Sequence, residues 1–321
     1  MKYIDLHCDT LTECVNQGKN LNENDLQTSF KKLGKGGALA QCFAVFTQCA
    51  TPREAEEKVE KYLDYYAHML DLHKKTVLSV TRGKDFSLCE KEQKLGCILT
   101  IENLGFIGTD LTKLQGLKEC GVCMASLVWN EENALARPNL IFKDGVPQFK
   151  ERNPQGLTAL GKAASEELDR LKIIIDISHL SDGGVEDLLK NRKIPLVASH
   201  SNAEGECPVS RNLTDAQIKK IADCGGVIGV NFCKDFLCEE GGAFNAFEAV
   251  YRHISRILAV GGEDVLSFGS DFDGIPAYKE LEDCTRMPAL LNYLNLKGVP
   301  AGVLEKICTR NFIRVFTDVI G

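Results

Sequence analysis

The chain has 321 residues, 44% of them apolar and 26% charged, and a formal net charge of −7. That is enough apolar material for a large core, and the acidic balance excludes a non-specific nucleic-acid binder, which carries a basic stripe. No stretch approaches the ~18 apolar residues of a membrane span, and the N-terminus enters a strand by Tyr3 without the apolar core of an export signal, so a cytoplasmic protein with no membrane contact is expected.

The first element, "IDLHCDTL", sets Asp5, His7 and Asp9 at alternate positions. In a strand these three share one face, and burying them is costly unless something binds them. The face is therefore expected to meet water or a metal. Cys8 points to the opposite face and reads as packing. "ALAQCFAVF" is the second strand, followed by the helical "REAEEKVEKYLDYYAHMLDLHKK". The third, "CILTIENL", ends at Glu102, and the fourth is "VCMASLVW". The longest irregular stretch follows, residues 130–156, of the length that functional lids have. The helix "LTALGKAASEELDRL" leads to the fifth strand, "KIIIDISH", ending in His179. "SDGGVEDLLKN" opens the next helix, and "PLVASHS" is the sixth strand, ending in His200. After the helix "LTDAQIKKIADCGG" come the seventh strand, "GVIGVNFC", and the eighth, "VLSFGSDF", which runs into Asp271 and Asp273. Eight strands alternating with helices predict a parallel sheet with crossovers. In this length they predict a (β/α)8 TIM barrel occupying residues 1–321 as one domain.

The 14 cysteines fall mostly in apolar runs and read as reduced packing residues. The pair in "CGVC", Cys120 and Cys123, has redox or half-zinc spacing, but no second such pair completes a site.

Barrel enzymes build their sites at the C-terminal ends of the strands. There stand His7 and Asp9, Glu102, His179, His200, Asp271 and Asp273. Imidazoles and carboxylates together suit zinc and similar divalent ions. His7, Asp9 and Glu102 can hold one ion, and Glu102, His179 and His200 a second, with Glu102 bridging. Three ligands to each ion leave positions open for water, as catalytic sites do. Taken singly, Asp9 is also a candidate helix cap and Asp271 a turn residue. His68, His73 and His253 lie in helical patterns and read as packed or solvated.

Five blocks, "DLHCDT", "TIENLG", "DISHLSD", "ASHSNA" with "SRNLTD", and "GSDFDG", together resemble the signatures of the membrane (renal) dipeptidase family. The resemblance runs in order along nearly the whole chain, through "NFIRVF" near its end. It implies a barrel hydrolase with two zinc ions, Co2+ or Mn2+ being alternatives, in which a hydroxide between the ions attacks the peptide bond of a dipeptide. It implies His7 and Asp9 on the first ion, His179 and His200 on the second, and Glu102 between them. Asp271 matches the aspartate that moves the proton, and Arg211 the arginine that takes the substrate carboxylate. Mammalian members carry a histidine shortly after the fourth strand, at the substrate; here Trp129 takes that place. Those members are also exported and lipid-anchored, whereas this sequence resembles a cytoplasmic, microbial type, with a homodimer as a family expectation. Competing expectations are another metal hydrolase of this superfamily, acting on a lactone, cyclic amide or phosphoester, and a non-catalytic binding protein on the same barrel.

Overall fold

A computed structural model describes residues 1–48, 51–237, 245–276 and 278–321. Among the described residues eight strands close a barrel: β1 Tyr3–Asp5, β2 Ala38–Phe46, β3 Leu95–Glu102, β4 Val122–Ser126, β5 Ile174–Asp176, β6 Val197–Ala198, β7 Val227–Val230 and β8 Leu266–Phe268. Every neighbouring pair is parallel, and β1 beside β8, with Asp5 opposite Phe268, completes the ring. The longest pairing runs from Ala40–Gly96 to Phe46–Glu102, so Glu102 arrives at the rim at the last position of its ladder. Helices cover the outside, as the charge-laced segments between the strands require.

Each of the eight expected strands is present, in the expected order. Three further short strands among the described residues were not legible. Val77–Ser79 adds a short strand to the beginning of β3, and its three residues are too few for a periodic signal. Within residues 130–156, Ile141–Lys143 and Val146–Gln148 form an antiparallel hairpin, so the stretch is not wholly irregular. Its two-residue turn is Asp144-Gly145, both with positive φ (51° and 76°), the backbone that matches strand twist in a tight hairpin.

The end of the barrel opposite Glu102 is sealed by the last helix, Asn311–Ile320. Phe312, Val315 and Phe316 share one buried cluster with Ile4, Ala40, Ile98, Met124, Ile174, Val197 and Val227 of the strands. Asn311 Nδ2 donates to Leu266 O at 2.9 Å, where β8 starts. Chemistry is thereby confined to the other mouth.

Candidate metal centre

At the open mouth Glu102 alone of the clustered ionisable residues lies within a regular ladder, and the others stand past the ends of their strands. β1 ends at Asp5, so His7 and Asp9 stand on an irregular continuation of the strand. The continuation stays anchored on both sides: Asp9 N donates to Phe272 O at 2.9 Å, and Ala44 N to Cys8 O at 3.0 Å. Asp5 does not share the surroundings of the other two. Its carboxylate takes Ser270 N at 2.8 Å and Ser270 Oγ at 2.6 Å, which satisfies it without water or metal. His179, with φ +71°, follows β5, and Asp271, with φ +65°, follows β8. His200 follows β6 by two residues.

These side chains converge. His7 Nε2 is 3.5 Å from Glu102 Oε2, 3.6 Å from Asp9 Oδ2 and 3.8 Å from Asp271 Oδ1. The other oxygen of Glu102, Oε1, is 2.9 Å from His179 Nε2 and 3.6 Å from His200 Nε2. Glu102 thus turns one oxygen to each half of the cluster. Two triads, His7–Glu102–His200 and His7–Asp9–Asp271, each bring three ligand atoms within 4.8 Å of one another. Asp271 therefore lies with the His7–Asp9 half of the cluster. Asp9 does occupy the N-cap position of helix Thr10–Gln17, but its side chain makes no capping bond. Asp273 lies apart in role: its oxygens take Gln27 N (2.6 Å), Thr28 N (3.2 Å) and Thr10 Oγ (2.5 Å), the anchoring role of a turn residue.

Proton bookkeeping shows what the cluster is made to hold. His179 Nδ1 donates to Asn130 Oδ1 at 2.8 Å. Ser199 Oγ gives its proton to Asp176 Oδ2 (2.5 Å) and so accepts from His200 Nδ1 (2.7 Å). With both Nδ1 atoms protonated, both Nε2 atoms present lone pairs. They face each other at 2.9 Å. Two lone pairs at that distance repel unless a cation lies against them. Nearby, His7 Nε2 and Asp9 Oδ1 are buried with no hydrogen-bond partner. Burial holds His179 down to about 4 and His200 well below the usual imidazole range, leaving both as neutral bases. Burial also lowers His7, but Glu102 and Asp9 outweigh it and raise its pKa, so positive charge is favoured there. Burial pushes Asp9 up to about 6 and Asp271 to about 7, with Glu102 among the charges adding to it in both. The donor set of imidazole nitrogens and carboxylate oxygens fits a borderline divalent metal.

A cavity of about 360 Å3 opens onto the cluster, lined by Glu102, His179, Asp271, Arg211, Trp129 and Phe236 among others. Arg211 is buried over the Phe236 ring, 5.4 Å from its centroid, and its Nε and Nη2 have no partner. Trp129 forms a wall, with its ring 4.9 Å from Phe46 and 6.1 Å from His179. Residues the sequence reading did not single out are Asn130, Asp176, Ser199 and Phe236, together with Asn231, whose Nδ2 donates to Asp271 Oδ2 at 2.9 Å. Two of them had a faint signal in hindsight, since Ser199 adjoins His200 and Asp176 precedes His179 by three. Cys120 and Cys123 are free thiols, one exposed and one buried, and neither joins the cluster.

The model of the membrane dipeptidase family, peptidase family M19, matches residues 1–320. The chain belongs to that family. As a member it is a metal-dependent dipeptidase. An uncharacterised protein encoded in the pqqA 5′ region of Klebsiella pneumoniae is 36% identical over 241 residues, 73% of this chain and 86% of its own length. An uncharacterised dipeptidase of Schizosaccharomyces pombe is 29% identical over 283 residues, 84% of this chain and 67% of its own. A metallopeptidase from Rhodobacter sphaeroides, solved with a phosphinate mimic of the dipeptide L-Ala-D-Ala, superposes with a TM-score of 0.91 at 25% identity, over 99% of both chains. No described helix is long and apolar enough to cross a membrane.

Proposed function

We propose that the protein hydrolyses dipeptides with a pair of zinc ions, Co2+ or Mn2+ being able to replace them. His7 and Asp9 would hold one ion, His179 and His200 the other, and Glu102 would bridge. The reading rests on one observation above all: the imidazole lone pairs of His179 and His200, 2.9 Å apart, beside Glu102 and the orphaned His7 Nε2. When bound, the metals supply a water nucleophilic at neutral pH and Lewis acidity at the peptide carbonyl.

The chain's own residues do the rest. Arg211 binds the substrate's terminal carboxylate through donors that nothing else occupies, a planar fork matched to two oxygens. Its burial against Phe236 keeps that fork in place, and a fixed carboxylate anchor in the same cavity as the cluster favours short substrates. Asp271 has Oδ2 held by Asn231 and Oδ1 turned toward His7. From there it takes the proton of the attacking water and returns it to the leaving amine. Asn130 and Ser199 fix the tautomers of His179 and His200. Trp129 contacts the substrate from the wall. We place this activity in one domain, residues 1–321, working in the cytoplasm, with a homodimer as the family expectation.

The test is metal quantitation on purified protein, coupled to hydrolysis of a library of L,L and L,D dipeptides. The expected result is close to two zinc ions per chain and cleavage of part of the library. Active protein with less than one metal per chain, or metal-loaded protein that cleaves no dipeptide, overturns the reading.

A further inference from the structure

The metal cavity is not the larger space at this mouth. A second chamber of about 810 Å3 adjoins it. The two share Trp129 and Asn130 as lining residues, so these form the partition between them. The chamber's apolar walls are Trp129, Pro138, Leu140, Ile141 and Phe142. Its charged groups are largely engaged: Arg137 Nη2 meets Glu132 Oε1 at 3.0 Å and Gln48 Nε2 donates to Glu131 Oε1 at 2.7 Å, which leaves Arg137 Nε as the one buried donor of the lining without a partner among the described residues. Phe142, on the hairpin, keeps 47% of its surface exposed. Such a surface gains by being covered with an apolar group.

The chamber is built into the site rather than laid beside it. Asn139 N donates to His179 O at 2.8 Å, and Asn139 Nδ2 to Ser210 O at 2.5 Å. Ser210 N in turn donates to Phe149 O at 2.5 Å, at the foot of the hairpin. Backbone next to a metal-cluster residue and next to Arg211 therefore holds the chamber wall in register with both. A histidine at position 129 would offer less apolar surface to this partition than the indole does.

We propose that the chamber receives one side chain of the substrate, so that the enzyme selects dipeptides carrying a bulky, apolar-bodied residue, aromatic or long aliphatic, at one of the two positions. This rests on the dipeptidase reading above. In it, the cavity at the metals takes the dipeptide backbone and Trp129 is the specificity-determining residue past which the side chain projects.

The test compares metal-loaded enzyme on X-Ala and Ala-X dipeptides, with X as Gly, Ala, Leu or Phe. At one position kcat/KM for Leu or Phe is expected to exceed that for Ala by about tenfold or more. Filling the chamber from its exposed side with Gln155→Trp is expected to collapse that ratio. A separate readout comes from fluorescence, because Trp129 is the one tryptophan of the sequence. In the wild type, a phosphinate dipeptide mimic with a benzyl side chain is expected to shift its emission, and the methyl analogue to shift it far less. If Ala-Ala is cleaved as fast as every bulky dipeptide at both positions, the chamber proposal falls and the dipeptidase reading stands. Equal emission shifts from the two mimics also overturn the proposal, whether or not Gln155→Trp folds. Failure to cleave any dipeptide overturns both.

Discussion

At the scale of single residues, the site is a problem in lone pairs and negative charge. Three buried carboxyl groups, Asp9, Glu102 and Asp271, lie around His7 Nε2, which has no hydrogen-bond partner, and beside the facing Nε2 atoms of His179 and His200. Asp271 differs from the other two in that Asn231 holds one of its oxygens while the other faces the cavity edge of the cluster. Replacing it by Asn keeps the size and the Asn231 contact but removes the base. Asp271→Asn is expected to lower kcat by ~10²–10⁴ while metal content, measured on the same preparation, stays close to wild type. Wild-type turnover in that variant would remove Asp271 from the proton path. Most of this cluster was legible in the sequence, because His7, Glu102, His179, His200 and Asp271 each stand at or just past a strand end and a barrel brings those ends together. Their supporting residues were not. Asn130 and His179, or Asn231 and Asp271, are 49 and 40 positions apart in the chain, and a neutral amide carries no signal of its own until the barrel closes. Asp5 misled for a related reason: alternation gave it the same face as His7, but Ser270, 265 positions away, satisfies it.

At the scale of elements, the segment after β4 does more than connect. Arg152, near its end, donates through Nε to Asp182 Oδ2 (2.6 Å) and through Nη1 to Glu204 Oε1 (3.2 Å) and Asn212 O (3.1 Å). It thus ties the segment to the start of helix Asp182–Leu189 and to the backbone beside Arg211. Loosening that tie should displace Arg211 before it touches the metals. Arg152→Gln is therefore expected to raise KM by about tenfold with a smaller change in kcat, in steady-state assays on a dipeptide the wild type cleaves. The hairpin in this segment had a sequence signal in Asp144-Gly145, masked because its flanking runs are only three residues each. A second tie is His253, on helix Ala246–Gly261, whose place among packed helix positions the sequence did indicate. Its Nδ1 accepts from Ala203 N at 3.1 Å and its Nε2 donates to Leu237 O at 2.8 Å, an arrangement only the neutral ring can make. Burial lowers its pKa to about 4. Since the folded value lies below the unfolded one, the stability His253 protects is full above pH 6.5 and is lost as pH falls toward 4. The loss amounts to about 3 kcal/mol by pH 4. Urea unfolding between pH 7.5 and 4 should show that extra loss in the wild type and not in His253→Gln; parallel curves for the two proteins would rule it out.

At the scale of the whole molecule, the ligand cluster is a clasp on the ring of strands. Its members stand at or just past the ends of β1, β3, β5, β6 and β8 and run from His7 to Asp271, so the groups that would surround the metals are drawn from most of the sequence. An unfolded chain cannot assemble them, and a metal that binds only the folded state stabilises it by mass action. The effect is larger here than loop closure alone implies, because without a cation the buried carboxylates oppose one another across a few ångströms. They and the two facing imidazoles would be relieved together when the metal enters. Exhaustive chelation is accordingly expected to lower Tm, by roughly 5–10 °C if metal is held at about a thousand times its dissociation constant, and readdition of Zn2+ to restore it. The sealed end of the barrel offers an internal control. Phe316→Leu, in the helix packed under the strands, lowers Tm through packing alone, and its loss should add to that of chelation because the two sites lie at opposite ends of the barrel and share no contact. A Tm that does not move when bound metal is demonstrably removed would mean that the cluster is held by the fold without the metals, and that their part is chemical only.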